Sequence, residues 1–283
     1  MIMVMKAGAI LRAVARRLCR PLRLATASGR ALPHFIIIGA QKGGTTALFS
    51  YLATHPQVWP SSVKEVHYFN LFHHKGVNWY RSWFPRRQAM ERRARRLGRP
   101  VVTGEATPCY LFDEEVAERA YRLVPRAKLI LLLRDPARRA YSHYRMDRRV
   151  GLQEKGFIKA LALERRGVEH PADHPLVKSG TARRQRSYIA RGIYLPQLIR
   201  YEQLFGQEQM LILRSEDLFE NPQRVFDEVA RFLGLDSWTL VDPHPIFSGG
   251  YASARIPGEK WLRKCFEPSN EQLSRHLARD FGW

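Results

Sequence analysis

From Pro33 onward the chain alternates between short unbroken apolar runs and longer stretches whose apolar positions recur every three or four residues. The runs are Phe35 to Ile38, Val101 to Gly104, Lys128 to Leu133 and Met210 to Leu213. They are continuous rather than alternating, the texture of strands covered on both faces. The clearest helical stretch opens with Asn221 as N-cap and Pro222 in the first turn. It sets Val225, Phe226, Val229, Phe232 and Leu233 on one face and stops at Gly234. Strand and helix in repetition predict an α/β domain of three layers, a central parallel sheet flanked by helices. Two stretches read as surface insertions: Pro85 to Arg99, with seven arginines and one glutamate, and Gly151 to Arg186, with scattered charges and Pro/His turns.

Residues 1–32 form a basic amphipathic arm ahead of a domain at 33–283. Read as a helix from Lys6 to Arg20, the arm sets Ile10, Leu11, Val14 and Leu18 on one face and Arg12, Arg16 and Arg20 opposite, until Pro21 stops it. Such an arm suits anionic lipid. It equally suits an organelle-targeting segment, since no acidic residue precedes Glu65, or a plain basic tail.

Composition narrows the class of protein. A chain of 283 residues with 45% hydrophobic content has material for a full core, which excludes disorder as its main state. No stretch reaches the roughly 20 apolar residues of a membrane-spanning helix, and the first 30 residues lack the apolar core of a signal peptide. The expectation is a cytoplasmic protein, with peripheral contact to anionic membrane through residues 1–30 left open. Forty-seven Lys and Arg against 26 Asp and Glu give a net charge of +21. That charge points to a polyanionic partner: nucleic acid, acidic lipid, a phosphate-rich cofactor or an acidic polysaccharide. A genome-wide arginine bias explains the same figure without function. Cys19, Cys109 and Cys265 are scattered, without CxxC or Cys/His clustering, so neither a disulfide framework nor a zinc site is indicated and a reducing compartment is favoured.

Two motifs carry chemistry. The first, Phe35-Ile-Ile-Ile-Gly39-Ala-Gln-Lys42-Gly43-Gly44-Thr45-Thr46, runs from a buried strand through glycines into a helix. This is P-loop-like architecture, in which backbone N–H groups and the positive helix end converge on an anion. Gly39 and Gly44 keep the Walker-A separation, yet Thr45 stands where a nucleotide triphosphatase needs lysine, and the lysine is inside the loop at Lys42. The loop therefore suits phosphate and argues against ordinary ATP or GTP hydrolysis. The second motif, from Lys128 to Tyr144, brings Arg134 and Asp135 to a strand end and Ser142 onto the following helix. Arg134 with Ser142 suits a phosphate monoester. The competing reading is a Walker-B strand with Asp135 on magnesium.

Together these residues resemble the sulfotransferases that use 3′-phosphoadenosine 5′-phosphosulfate (PAPS), especially the carbohydrate, heparan-sulfate-like branch and its bacterial relatives. The resemblance covers about Pro33 to Trp283. It implies that Lys42, Gly43, Gly44, Thr45 and Thr46 hold the 5′-phosphosulfate and that Arg134 and Ser142 hold the 3′-phosphate. The segment Lys64-Glu65-Val66-His67-Tyr68-Phe69 is similar to the family's Lys-Glu-x-His-Phe-Phe stretch, which implies Glu65 as catalytic base. His67 is then a hydrogen-bonding neighbour or a second base. Gly104-Glu105-x-Thr107-Pro108-x-Tyr110, Ser187 to Tyr194, and Pro268 to Trp283 extend the match.

The chain also departs from the pattern. Cys265 stands alone where the lumenal heparan enzymes have a cysteine pair, and the loop from Gly249 to Gly258 lacks their Lys/Gly/Arg-rich form. In that loop Arg255, then Ser253, are the candidates to close over the nucleotide, against a plain connecting loop. The family works without metal, and no His/Asp cluster in the sequence suggests one.

Several aromatic and histidine residues have readings of their own. Trp79, Trp83 and Phe84 read as core rather than a sugar platform, and His73-His74 as solvated loop. The expected activity is in-line sulfuryl transfer from PAPS to a hydroxyl or amine of a carbohydrate or glycoconjugate, with Lys42 and Glu65 as catalytic groups and adenosine 3′,5′-bisphosphate released. The rivals are a magnesium-dependent nucleotide kinase and a non-catalytic polyanion binder; nucleic acid is not expected.

Overall fold

The computed structural model describes residues 20–166, 187–241, 243 and 255–283. The helix expected from Lys6 to Arg20 falls outside them except for its last residue. Helix α1 (Arg20–Ala25) opens the described chain. Pro21 lies in this helix; whether it ends the expected preceding one falls outside the described residues. The elements then run β1 (Phe35–Gly39), α2 (Thr45–Leu52), α3 (Gly76–Arg81), α4 (Arg87–Leu97), β2 (Gly104–Ala106), α5 (Val116–Leu123) and β3 (Lys128–Leu133). After these come α6 (Pro136–Arg149), α7 (Phe157–Arg165), α8 (Tyr194–Glu202), β4 (Met210–Arg214), α9 (Ser215–Glu220), α10 (Pro222–Leu233) and α11 (Glu259–His276).

The four strands form one parallel sheet in the order β2-β1-β3-β4. Phe35 pairs with Gly104 on one side and Lys128 on the other, and Leu129 pairs with Met210. Alternate residues of each strand feed opposite layers. Ile36, Ile38, Leu129, Leu131 and Leu133 face a layer rich in aromatics, including Tyr68, Phe69, Tyr80, Tyr110 and Tyr201. Phe35, Ile37, Ile130 and Leu132 face α2 and α10 through Leu48, Leu52, Phe226 and Val229. The expected fold, a P-loop-like domain with a helix-covered parallel sheet, is the one observed.

Helix α10 has the predicted ends: the Asn221 side chain accepts from the Arg224 N–H at 3.1 Å, and Gly234 closes the helix at φ +74°. Trp79 and Phe84 are buried and Trp83 packs beside them, so these aromatics are core.

Two expectations need correction. The second strand is Gly104–Ala106 and meets the expected Val101 to Gly104 only at Gly104; Val102 makes an isolated bridge to Val58 instead. The apolar run misplaced it because the centre of the true strand is a buried carboxylate, Glu105. The stretch from Gly151 to Arg186 is not all surface. Within it α7 buries Phe157, Ala160 and Leu161 against α6 and α11 in a third apolar cluster. Residues 167–186 of that stretch lie outside the described ones.

Candidate active site

The site lies at the carboxyl ends of the strands, where open α/β sheets bind ligands. Chain leaving β1 turns through residues 40–44 into α2, with Lys42 at φ +72° and Gly44 at φ +93°. The turn is drawn tight against β3: Ala40 N–H donates to Leu132 O at 2.9 Å, and a Cβ on Gly43 would sit 2.4 Å from that same oxygen. Only glycine allows this approach. Arg134 Nη1 donates to Lys42 O at 3.0 Å, and Ser215 Oγ donates to Gly43 O at 2.7 Å. Both carbonyls are thus tied back to the ends of β3 and β4, while the first turn of α2 offers N–H groups with no intrahelical acceptor. Thr45 is buried and Thr46 half-buried, so Thr46 is the more accessible hydroxyl.

Lys42 is a cation short of compensation. Burial lowers its pKa, Arg149 and Arg134 lower it further, and Glu65 and Asp147 oppose them. Its Nζ lies 3.9 Å from Met146 Sδ on α6. Ser142 is one turn before Met146 and so shares its face, which turns Ser142 toward the phosphate loop. Arg134 is also half-buried; desolvation lowers its pKa, and its buried Nε has no hydrogen-bond partner. Its guanidinium lies 5.4 Å from the Phe219 ring. Asp135, by contrast, is fully engaged. One oxygen caps α6, accepting from the N–H groups of Ala137 at 2.8 Å and Arg138 at 3.2 Å, and the other pairs with Arg263 at 2.7 Å. That occupation counts against the Walker-B reading. Among the described residues no group of three or more His, Cys, Asp or Glu side chains converges to hold a metal.

Across from the loop, the segment 61–67 follows the end of β2, with Glu65 N–H donating to Ala106 O at 2.9 Å. Glu65 and His67 both adopt left-handed backbone, φ +62° and +55°. Of the four described non-glycine residues with positive φ, three are Lys42, Glu65 and His67; the fourth is Ala278. Glu65 Oε1 accepts from Lys64 Nζ at 2.5 Å, and Oε2 lies 3.4 Å from His67 Nε2. Burial pushes the Glu65 carboxyl up, but the hydrogen bond from His67 and the charge and hydrogen bond of Lys64 outweigh it and hold it at about 2. Beneath this segment Glu105 is wholly buried. It accepts from Tyr80 at 2.6 Å, Thr107 at 2.7 Å and Tyr110 at 3.3 Å, and burial raises its pKa against those three bonds.

The structure therefore brings Lys42, Gly43, Gly44, Thr46, Arg134, Ser142, Glu65 and His67 to one end of the sheet. Arg255 is exposed, and Ser253 lies outside the described residues. Sequence reasoning missed the supports: Ser215 on the loop carbonyl, Arg263 on Asp135, and the donors around Glu105. It also passed over Arg139, which has no solvent exposure, donates Nη2 to Tyr188 O and leaves Nε and Nη1 without partners. Burial holds its pKa down at about 10. The only local signal was its place one turn before His143 and two before Asp147, which are also buried.

The family model for the sulfotransferase domain matches residues 32–247. A sulfotransferase from Alicyclobacillus acidocaldarius superposes with a TM-score of 0.66 at 28% identity, covering 88% of this chain and 97% of that one. The membrane-associated sulfotransferase kil1 of Dictyostelium discoideum is 26% identical over 89% of this chain and 66% of its own length. The mouse heparan sulfate glucosamine 3-O-sulfotransferase 3B1 is 30% identical over 91% of this chain and 66% of its own. The human bifunctional heparan sulfate N-deacetylase/N-sulfotransferase 3 is 33% identical over 72% of this chain and 22% of its own. The chain thus spans about two thirds of two of these curated relatives and less than a quarter of the third. The phosphate loop, the strand order and the matched residues agree, and the chain belongs to the sulfotransferase domain family, a family of transferase enzymes.

Proposed function

We propose that the protein moves a sulfuryl group from PAPS to a hydroxyl or amine of a carbohydrate or glycoconjugate by in-line displacement. One observation carries this reading: a half-buried lysine of the phosphate loop, Lys42, and a carboxylate, Glu65, stand on segments hydrogen-bonded to the carboxyl ends of β3 and β2. The donor nucleotide fits the residues present. Arg134 has a buried donor without an acceptor, and the loop backbone is packed so closely that Gly43 admits no side chain. When bound, PAPS supplies a sulfuryl group on a phosphate ester that departs as adenosine 3′,5′-bisphosphate. Lys42, Gly43, Gly44, Thr45 and Thr46 are assigned to its 5′ end, and Arg134 with Ser142 to its 3′-phosphate. Arg255 and Ser253 are assigned to the loop that closes over it. Lys42 stabilises negative charge growing on the departing oxygen. Glu65 accepts the acceptor's proton, held by Lys64 and His67. No metal has a role.

The carbohydrate acceptor rests on the names of the mouse and human relatives, which specify heparan sulfate. The Dictyostelium relative is named as membrane-associated, and residues 1–30 are assigned to peripheral contact with anionic membrane on a cytoplasmic protein. Calorimetry tests the donor assignment. Adenosine 3′,5′-bisphosphate binds more tightly than AMP, without magnesium; equal affinity for the two removes the reading, and a preference for ATP with magnesium favours the kinase. Incubation of a glycan panel with PAPS, read by mass spectrometry, then identifies the acceptor.

A further inference from the structure

The arginines of α4 take no part in the site. Met90 and Ala94 turn one face of this helix onto Ala31 and Val101. That packing leaves Arg92, Arg95 and Arg96 exposed, with Arg86 and Arg87 exposed at the helix start. Among the described residues none of these five side chains has an ion-pair or hydrogen-bond partner, whereas nearby Arg99 pairs with Asp236 at 3.0 Å. Close by, α1 exposes Leu22 at 64% and Leu24 at 38%. The two helices are pinned to the same part of the surface. Arg23 Nε donates to Ser82 O at 2.7 Å, Arg30 forms an antiparallel bridge with Arg86, and Ala31 N–H donates to Pro85 O at 3.0 Å.

We propose that α4 and α1 together form a docking face for an anionic bilayer, with the α4 arginines on lipid phosphates and Leu22 and Leu24 in the interfacial layer. Two features favour a bilayer over a sulfated polysaccharide. Exposed leucines gain nothing on a polyanionic chain but add binding at a bilayer interface, where firm attachment takes an apolar signal together with a basic one. The face also belongs to elements that precede β1 and β2, while the site lies at the far ends of those strands, so docking leaves the site open. The proposal extends the membrane assignment of residues 1–30 and rests on it for α1 alone, since α4 lies outside that segment.

The test is sedimentation of the full-length protein with vesicles of phosphatidylcholine, with and without phosphatidylserine. Each basic residue at an anionic surface contributes a factor of about five in partition. The variant R92Q/R95Q/R96Q, which keeps good helix formers, is expected to lose about a hundredfold on phosphatidylserine vesicles with unchanged bisphosphate affinity. L22S/L24S is expected to lose less, on the same vesicles. If the triple variant melts early, R87Q/R92Q is read instead, with an expected loss of about twenty-five-fold. Wild-type protein that ignores phosphatidylserine, or arginine variants that sediment like wild type, overturns the proposal. If deleting residues 2–19 abolishes binding while the arginine variants do not weaken it, the arm assignment stands and the α4 face falls. The reverse result sustains the face and removes the arm. Arginine variants that lose heparin retention but keep vesicle binding also overturn the proposal, in favour of a polysaccharide.

Discussion

At the phosphate loop a buried donor, Arg134 Nε, has no hydrogen-bond partner, whereas at the carboxyl end of β2 the carboxylate oxygens are claimed by donors of the chain itself. Burial also lowers the pKa of Lys42. On the other side Glu105 accepts three hydrogen bonds, and Glu65 is held by Lys64 and His67. An unpaired buried cation is costly and a fully bonded carboxylate is not. On the proposed function, one half of the site is completed by an incoming anion. The other is already complete, and must give something up before it can act. A carboxyl held at about 2 is a weak base, so an acceptor that draws Lys64 away both frees Glu65 and raises its basicity.

The largest expected effect falls on the saturated side. Glu65→Gln keeps the side chain's shape but removes its charge and the proposed base, and is expected to lower turnover by about 10² to 10⁴ with bisphosphate affinity nearly unchanged. Single-turnover kinetics beside calorimetry measures both; more than about a tenth of the rate remaining moves the base elsewhere, with His67 next to be replaced. On the unsaturated side Lys42→Ala is expected to raise the barrier by about 2.7 to 4 kcal/mol and to weaken bisphosphate binding as well. If affinity alone moves, Lys42 is a binding group, and the contrast between the two halves is one of occupancy rather than chemistry.

Arg134→Ala is the next step down. Loss of a charged hydrogen bond predicts about 1.5 to 3 kcal/mol of bisphosphate affinity, with AMP little affected, both readable by titration calorimetry. Equal losses for the two ligands would place Arg134 on the loop rather than on the 3′-phosphate. The smallest effect is on stability against pH. Glu65 is depressed in the folded protein from 4.5 to about 2, so its contribution is present above 4.5 and fades as pH falls through that window. At 40% exposure the contribution is screened and modest. Thermal melts of wild type and Glu65→Gln are expected to converge across the window; parallel curves would mean that the Lys64 and His67 contacts do not hold in solution.

How much of this could be read from the chain depended on distance along it. Strands β1, β3 and β4 were legible within a residue because each is an unbroken apolar run, and α10 because its cap, proline and terminal glycine are local signals. The positions of Lys42 and Arg134 at strand ends were legible for the same reason, each sitting in a motif a few residues long. Strand β2 was not. Its central residue is Glu105, and what makes a buried carboxylate tolerable is Tyr80, 25 residues away, together with Thr107 and Tyr110. Helix α7 was hidden because its apolar run, Phe157 to Leu163 with Lys159 inside it, is short and flanked by charged residues. The contacts Ser215 to Gly43 and Arg263 to Asp135 span 172 and 128 positions, and no window along the sequence joins them.

The left-handed backbone at Lys42, Glu65 and His67 sets folding and function against each other. Such a conformation costs about 1 to 3 kcal/mol per residue when a side chain is present, and glycine adopts it without that cost. At these three positions the residue that best relaxes the chain would also remove a side chain to which the proposed chemistry is assigned. On that proposal, selection for heat resistance alone would drift toward glycine there at the expense of turnover. A screen for hardier variants of this enzyme must therefore score turnover in every round.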